Sequence, residues 1–173
     1  MIGLDADASA MAEASRRAAA PPSRGGVPNA RFLAASAEEL PGPLVASAHQ
    51  ITICLPWGSL LHGLLVADQA LVSGIAGTLR SNGEVEIVLS TTARDAVAHG
   101  HVLESAADAV AFAGRLEHSG LQVIDCRPAG RSDVERLSSG WGKRLGIPER
   151  RPGWLFVGRQ DGPGGESASR SLM

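Results

Sequence analysis

Aromatic side chains are scarce. The chain of 173 residues holds no tyrosine, three phenylalanines and three tryptophans, so each tryptophan calls for a reason. Lysine is nearly absent: Lys143 is the only one, and arginine carries the rest of the basic charge. The formal net charge is −2, and so small a total points by itself to no polyanionic partner. There are two cysteines, Cys54 and Cys126, far apart and each inside an apolar, strand-like run. Such a pair makes neither a disulfide framework nor a zinc site, and both read as small buried thiols. His49, His62, His99, His101 and His118 are scattered and lack carboxylate or cysteine partners at ligand spacing, so no metal is expected. The longest apolar run is cut by Pro56, Gly58 and His62 and would not cross a bilayer. No signal peptide is legible. A cytoplasmic, reducing location is the resulting expectation, with no membrane partner.

What is present is enough apolar material, 44% of the chain, for the core of one ordinary domain. "MIGLD" reads as a strand ending at Asp5, and residues 8 to 20 as an alanine-rich helix. "PPSRGGVPN" is a loop by every breaker signal, and residues 30 to 35 form a short strand. Residues 49 to 55, "HQITICL", read as a central parallel strand, apolar on both faces. A helical pattern runs from Ser59 to about Leu79. "SNG", 81 to 83, reads as a turn before a strand at 84 to 90. Residues 104 to 120 form a helix with Val110, Leu116 and alanines inward, and Gly120 stands where a C-terminal glycine belongs. Strands follow at 121 to 126 and 153 to 159, with Trp154 in the core. From Asp161 the chain is Gly, Ser and Pro without periodicity and reads as a disordered tail, 161–173. Strands alternating with helices predict an α/β domain over 1–160, its sheet mostly parallel and closed by a C-terminal antiparallel hairpin.

Ligands of open parallel sheets bind beyond the carboxyl ends of the strands. Three such ends stand out: Asp5, then Ser36-Ala37-Glu38, then Leu55-Pro56-Trp57. A carboxylate there can accept hydrogen bonds from both ribose hydroxyls of a nucleotide. The plainer reading of Asp5 is a cap on the helix that starts near Ala8. A tryptophan beside a strand end is commonly a packing residue. Trp141 fits that role poorly, because Gly140 and Gly142 flank it and make a loosely packed segment suited to binding. Lys143, Arg144, Arg150 and Arg151, preceded by Arg127, Arg131 and Arg136, make a locally basic stretch. It either tracks phosphates or is an ordinary solvated loop.

"GLDAD", "GGVPN", "ASAEELP", "LPWGSLL" and "SGWGKRL", in this order and spacing, resemble the 16S rRNA (adenine(1408)-N1)-methyltransferases of the kanamycin–apramycin resistance type. The resemblance covers roughly residues 2 to 159. It implies a class I methyltransferase, Rossmann-like sheet and S-adenosylmethionine-dependent methylation of adenine N1 in 16S rRNA of the 30S subunit, by a monomer, conferring aminoglycoside resistance. It also implies site residues. Asp5 would hold the cofactor's ribose, Ala37 and Glu38 would border its adenine, the backbone carbonyls of Leu55 and Pro56 would face the methyl-transfer point, and Ser59 would supply a small hydroxyl near the cofactor. Trp57 and Trp141 would sandwich the target base. Ser139, Lys143 and Arg144 would lie in the neighbouring stretch that faces RNA, and the basic run adds Arg150 and Arg151 as candidate RNA contacts.

Family members carry a first strand and a Gly-rich D-x-G-x-G loop ahead of the "LDAD" strand, and nothing in this sequence matches them. The expectation is therefore a chain incomplete at its N-terminus, its central strand and first cofactor loop missing, that binds S-adenosylmethionine poorly. Two other readings stay open: a non-catalytic methyltransferase-like fragment that binds RNA or a partner, and a methyltransferase acting on another substrate.

Overall fold

The computed structural model describes residues 1–92, 95, 101–136, 147 and 151–160. The expectations for His99, Ser139, Trp141, Lys143, Arg144, Arg150 and the 161–173 tail lie outside the described residues. The chain divides into two compact units, Met1–Leu44 and Val45–Met173.

The first unit is a strand–helix–strand. β1 (Ile2–Asp5) pairs in parallel with β2 (Arg31–Ala34), Ile2 opposite Arg31 and Asp5 opposite Ala34. Helix α1 (Ala8–Ala18) packs on both strands. Its alanines favour the helix, and Arg16 and Arg17 in the last turn suit the negative end of its dipole. The helix stops two residues before the expected Ala20. The following Pro21-Pro22 pair disfavours helical backbone ahead of it. Among the described residues β1 has β2 as its sole strand partner.

The second unit holds a four-stranded sheet in the order β3-β4-β6-β5. β3 (Ala48–Cys54) lies parallel to β4 (Leu79–Leu89). β6 (Trp154–Gln160) runs antiparallel to both β4 and β5 (Leu121–Pro128). Every strand of this sheet but β6 thus points the same way, the mostly parallel pattern with a terminal hairpin that alternating elements predict. β3 has the apolar pattern of a central strand yet is an edge of this sheet, as expected of a chain without the neighbouring central strand, and His49, Gln50 and Thr52 are exposed on it.

The single expected helix from Ser59 to Leu79 is two, α2 (Gly58–Leu65) and α3 (Gln69–Thr78), meeting at 99°. Asp68 breaks the run. Its carboxylate accepts from the Leu71 amide at 2.9 Å, and Ala67 before it turns left-handed at φ 50°. The expected 81–83 turn lies inside β4 as an irregularity. Between Ala48–Leu79 and Gln50–Glu84 the register shifts, Asn82 takes φ 63°, and a Cβ on Gly83 would sit 2.7 Å from the Ala48 carbonyl oxygen. Helix α4 (Ala106–His118) opens with a reciprocal Ser105–Asp108 capping box. It buries Ala109, Phe112 and Leu116, spaced three and four apart along one face. Val110 falls off that stripe and is 66% exposed, so its expected inward position is corrected. Phe112 meets Phe156 of β6 edge to face, centroids 4.7 Å apart.

Around these rings Leu64, Leu65, Leu71, Leu116 and Leu155 are almost fully buried. Trp154 is core as expected, its indole Nε1–H donating to the Leu103 carbonyl at 3.1 Å. Cys54 and Cys126 form no disulfide and are half-buried rather than sealed in. Helix α5 (Arg131–Arg136) lies between β5 and β6. Among the described residues no single helix is long and apolar enough to cross a membrane.

Candidate active site

In the first unit the exits of β1 and β2 lie side by side. Asp5 is opposite Ala34, and the Ala35 amide donates to the Asp5 carbonyl at 3.0 Å. The chain then passes through half-buried Ser36 and Ala37 to exposed Glu38. Asp5 is exposed, and one carboxylate oxygen accepts from the Asp7 amide at 2.8 Å. The cap of α1 is Asp7, whose Oδ1 accepts from the amides of Ser9 at 2.8 Å and Ala10 at 3.1 Å. Capping therefore does not account for Asp5. Asp7 itself was legible as an Asp one residue ahead of an alanine-rich helix.

In the second unit the parallel ladder runs one residue beyond β3, the Leu55 amide donating to the Val88 carbonyl at 2.8 Å. Leu55 then turns left-handed, φ 52°. That conformation costs an L-residue roughly 1–2 kcal/mol, and the following Pro56 favours extended backbone before it. The Leu55 side chain packs with Cys54 and Val157 against Val88, Ala129 and Leu155. Two residues later Trp57 is 86% exposed. It occupies the N-cap of α2, with extended backbone and no side-chain capping bond. Ser, Asp or Asn at such a cap stabilises a helix by about 0.5–2 kcal/mol relative to a non-capping residue. Neither burial nor capping therefore explains this tryptophan. Gly58 follows at φ 62°, and Ser59 is exposed in the first turn of α2.

The neighbouring end of β4 is tied down. Arg151 donates through Nε to Ser90 Oγ at 2.7 Å and through an Nη to the Ser90 carbonyl at 2.8 Å, while Ser90 Oγ donates to the Pro152 carbonyl at 2.6 Å. Arg151, expected to face RNA, thus directs two donors into the fold. The Leu103 amide donates to Thr91 Oγ1 at 2.7 Å, and Thr91 is buried.

The exit of β5 carries an ion-pair cluster in which Arg127 and Arg136, expected either to track phosphates or to lie on a solvated loop, have carboxylate partners. Arg127 forks onto Asp133 at 2.8 and 2.9 Å and approaches Asp125 at 3.3 Å. Arg136 reaches Glu86 at 2.6 Å. The Arg127 fork, helped by the Gly130 amide at 2.8 Å, pulls the buried Asp133 carboxyl down to about 2 against the opposing effect of burial. Hydrogen bonding to Asp133 first, then the charges around it, raises Arg127. Bonding to Glu86 raises Arg136. Burial, and then Asp125, pushes the Cys126 thiol up. Carboxylates at sequence distances of 6 and 50 residues neutralise these arginines, and the second pairing is one that only folding brings together. Among the described residues no group of three His, Cys, Asp or Glu side chains is placed to hold a metal ion.

Residues 1–158 match the family model described as NpmA: 16S rRNA (adenine(1408)-N(1))-methyltransferase. The chain is 35% identical over 149 residues to the 16S rRNA (adenine(1408)-N(1))-methyltransferase of Streptoalloteichus hindustanus, covering 84% of this chain and 68% of that one. It is 35% identical over 150 residues to the enzyme of the same description from Streptoalloteichus tenebrarius, with 84% and 68% covered. The crystal structure of the 16S rRNA methyltransferase KamB superposes with a TM-score of 0.76 at 28% identity, over 92% of this chain and 76% of that one. Motifs, fold and these likenesses agree, and the chain belongs to the 16S rRNA (adenine(1408)-N(1))-methyltransferase family.

Proposed function

We propose that this chain transfers a methyl group from S-adenosylmethionine to N1 of adenine 1408 in 16S rRNA, within the 30S subunit, and so confers aminoglycoside resistance. It acts in this reading as a cytoplasmic monomer without a metal ion. The family match over residues 1–158 supports the reaction, and the observation that carries the reading is the 86% exposed indole of Trp57 at a strand exit.

The first unit fits the nucleoside end of such a cofactor. Asp5 offers an exposed carboxylate at a strand's carboxyl end, with acceptor capacity for two ribose hydroxyls. Ala37 and Glu38, on the adjoining strand exit, border the cofactor's adenine. In the second unit the main-chain carbonyls of Leu55 and Pro56 would serve the methyl-transfer point, and Ser59 would contribute a small hydroxyl near the cofactor. When bound, S-adenosylmethionine supplies an electrophilic methyl group on a sulfonium sulfur.

A base buried in a helix cannot offer its ring nitrogen, so the adenine must leave its stack. An aromatic face restores roughly 1–3 kcal/mol per base. Trp57 provides one such face, and Trp141 the opposite one. N1 already carries a lone pair, so no side chain has to remove a proton to begin. The methylated ring is cationic, and an indole face favours positive charge by about 0.5–2 kcal/mol. Rate enhancement then comes mainly from orientation. Ser139, Lys143, Arg144 and Arg150 contact the RNA, the cations meeting phosphates, while Arg151 holds the neighbouring segment to the end of β4.

The test is primer extension on 30S subunits incubated with the protein and S-adenosylmethionine. A methyl group on N1 blocks base pairing, so reverse transcription stops next to adenine 1408. Unblocked read-through at that position overturns the proposal.

A further inference from the structure

Leu55 is held in a conformation its side chain disfavours. The other non-glycine residues with positive φ among the described residues are Ala46, Ala67 and Asn82. Two of these are small, and asparagine tolerates the left-handed region. Leu55 is the one bulky aliphatic residue there, and it directly precedes a proline, which favours extended backbone before it. Two contacts hold it. Its amide is fastened to the Val88 carbonyl of β4 at 2.8 Å, and its side chain packs against Val88, Ala129 and Leu155. Those three residues are almost fully buried, so the anchor is rigid. Between this anchor and the buried Leu61, Leu64 and Leu65 of α2, Trp57 itself is exposed and makes no capping bond.

We infer that Leu55 is a positioning residue whose left-handed backbone, pinned to β4 and to the buried Val88–Ala129–Leu155 cluster, sets the direction in which Trp57 leaves the sheet. The inference rests on the reading of Trp57 as the stacking face for the target base. Strain sustained by tight surroundings is characteristic of sites where geometry matters more than stability. A glycine would accept the turn without strain, as Gly58 does at φ 62°, but it would leave the loop without its apolar anchor.

Two substitutions separate conformation from anchoring. Leu55→Val keeps an apolar side chain, but its branched Cβ excludes positive φ far more strongly. Leu55→Met keeps the unbranched Cβ and reaches the same cluster. In a Trp141→Phe, Trp154→Phe background Trp57 is the only tryptophan left, so its anisotropy and acrylamide quenching report its orientation directly. Leu55→Val is expected to change both signals. In the tryptophan-intact chain it lowers kcat on 30S subunits about tenfold or more, the scale of a slight misplacement of reacting groups. Leu55→Met recovers most of that loss.

A Trp57 signal unchanged by Leu55→Val overturns the inference. So does a Leu55→Met loss equal to that of Leu55→Val and in step with a fall in Tm. If Leu55→Val does not fold, Leu55→Gly decides: lower Trp57 anisotropy with lower kcat supports the anchor, and parental values for both refute it. Full methylation by Trp57→Ala would sink the stacking reading alone, because the fluorescence contrast between the Val and Met variants measures positioning without reference to catalysis.

Discussion

Trp57 and Asp5 are exposed side chains, and neither caps the helix that follows it. Asp7 caps α1 in place of Asp5, and no capping or packing contact accounts for Trp57. Trp57→Ala should therefore lower kcat for rRNA methylation by roughly 10–100-fold, the equivalent of one lost stacking face, while S-adenosylmethionine affinity by calorimetry stays within about threefold. Equal losses in both would mean that the indole supports the fold. Asp5→Asn should do the reverse. Replacing a charged acceptor of hydroxyl hydrogen bonds weakens cofactor binding by roughly 1.5–3 kcal/mol, about 10–100-fold in Kd, with kcat at saturating cofactor much less affected. Their exposed places at strand exits were legible from the strand pattern and the residues that end it. Arg127 and Arg151 were not legible in the same way. Their partners, Asp133 and Ser90, become neighbours only through folding.

At the level of elements, type was easier to read than extent or facing. Helix α4 was legible from its period, yet Val110 was placed inward because its apolarity was weighed above its phase relative to Ala109, Phe112 and Leu116. "SNG" did mark an irregularity, but β4 absorbs it, since pairing with β3 on both sides of the shift keeps the strand continuous. Asp68 ended a helix that apolar content alone would have carried on.

Two predictions belong to this scale. Ser105→Ala removes half of the α4 capping box and should cost about 0.5–2 kcal/mol in urea unfolding. Asp133 should govern part of the acid limb. Its folded value of about 2 lies below the unfolded value of about 3.9, so the folded state binds fewer protons. Its contribution is complete above about pH 5 and is lost as pH falls through about 2. With Arg127 half exposed, that contribution is on the order of 1–2 kcal/mol. Asp133→Asn should lower stability at pH 7 by that amount and flatten the stability profile between pH 5 and 2, as followed by thermal melts across that range. An unchanged slope would show that Asp133 contributes nothing there.

For the whole molecule, binding of S-adenosylmethionine to the folded chain predicts a concentration-dependent rise in Tm. At a hundredfold excess over Kd it corresponds to about 2.7 kcal/mol. Differential scanning fluorimetry across a cofactor titration checks it, and a flat Tm would mean that the chain does not bind the cofactor on its own. Asp5→Asn should shift that titration to higher concentration, which links the molecular measurement to a named residue.

By itself the sequence determined the alternation of strands and helices, the parallel character of the sheet with its terminal hairpin, the family and the residues at the strand exits. Each is written in short-range pattern: hydrophobic period, breakers, and rare residue types at fixed spacing. Only the tertiary structure decided that Arg127, Arg136 and Arg151 are committed to partners up to 61 residues away, and that Leu55 is left-handed two residues before Trp57. These depend on which strands become neighbours. Pairing and packing between distant segments override local backbone preference, and that information is spread over the whole chain rather than held in any one stretch of it.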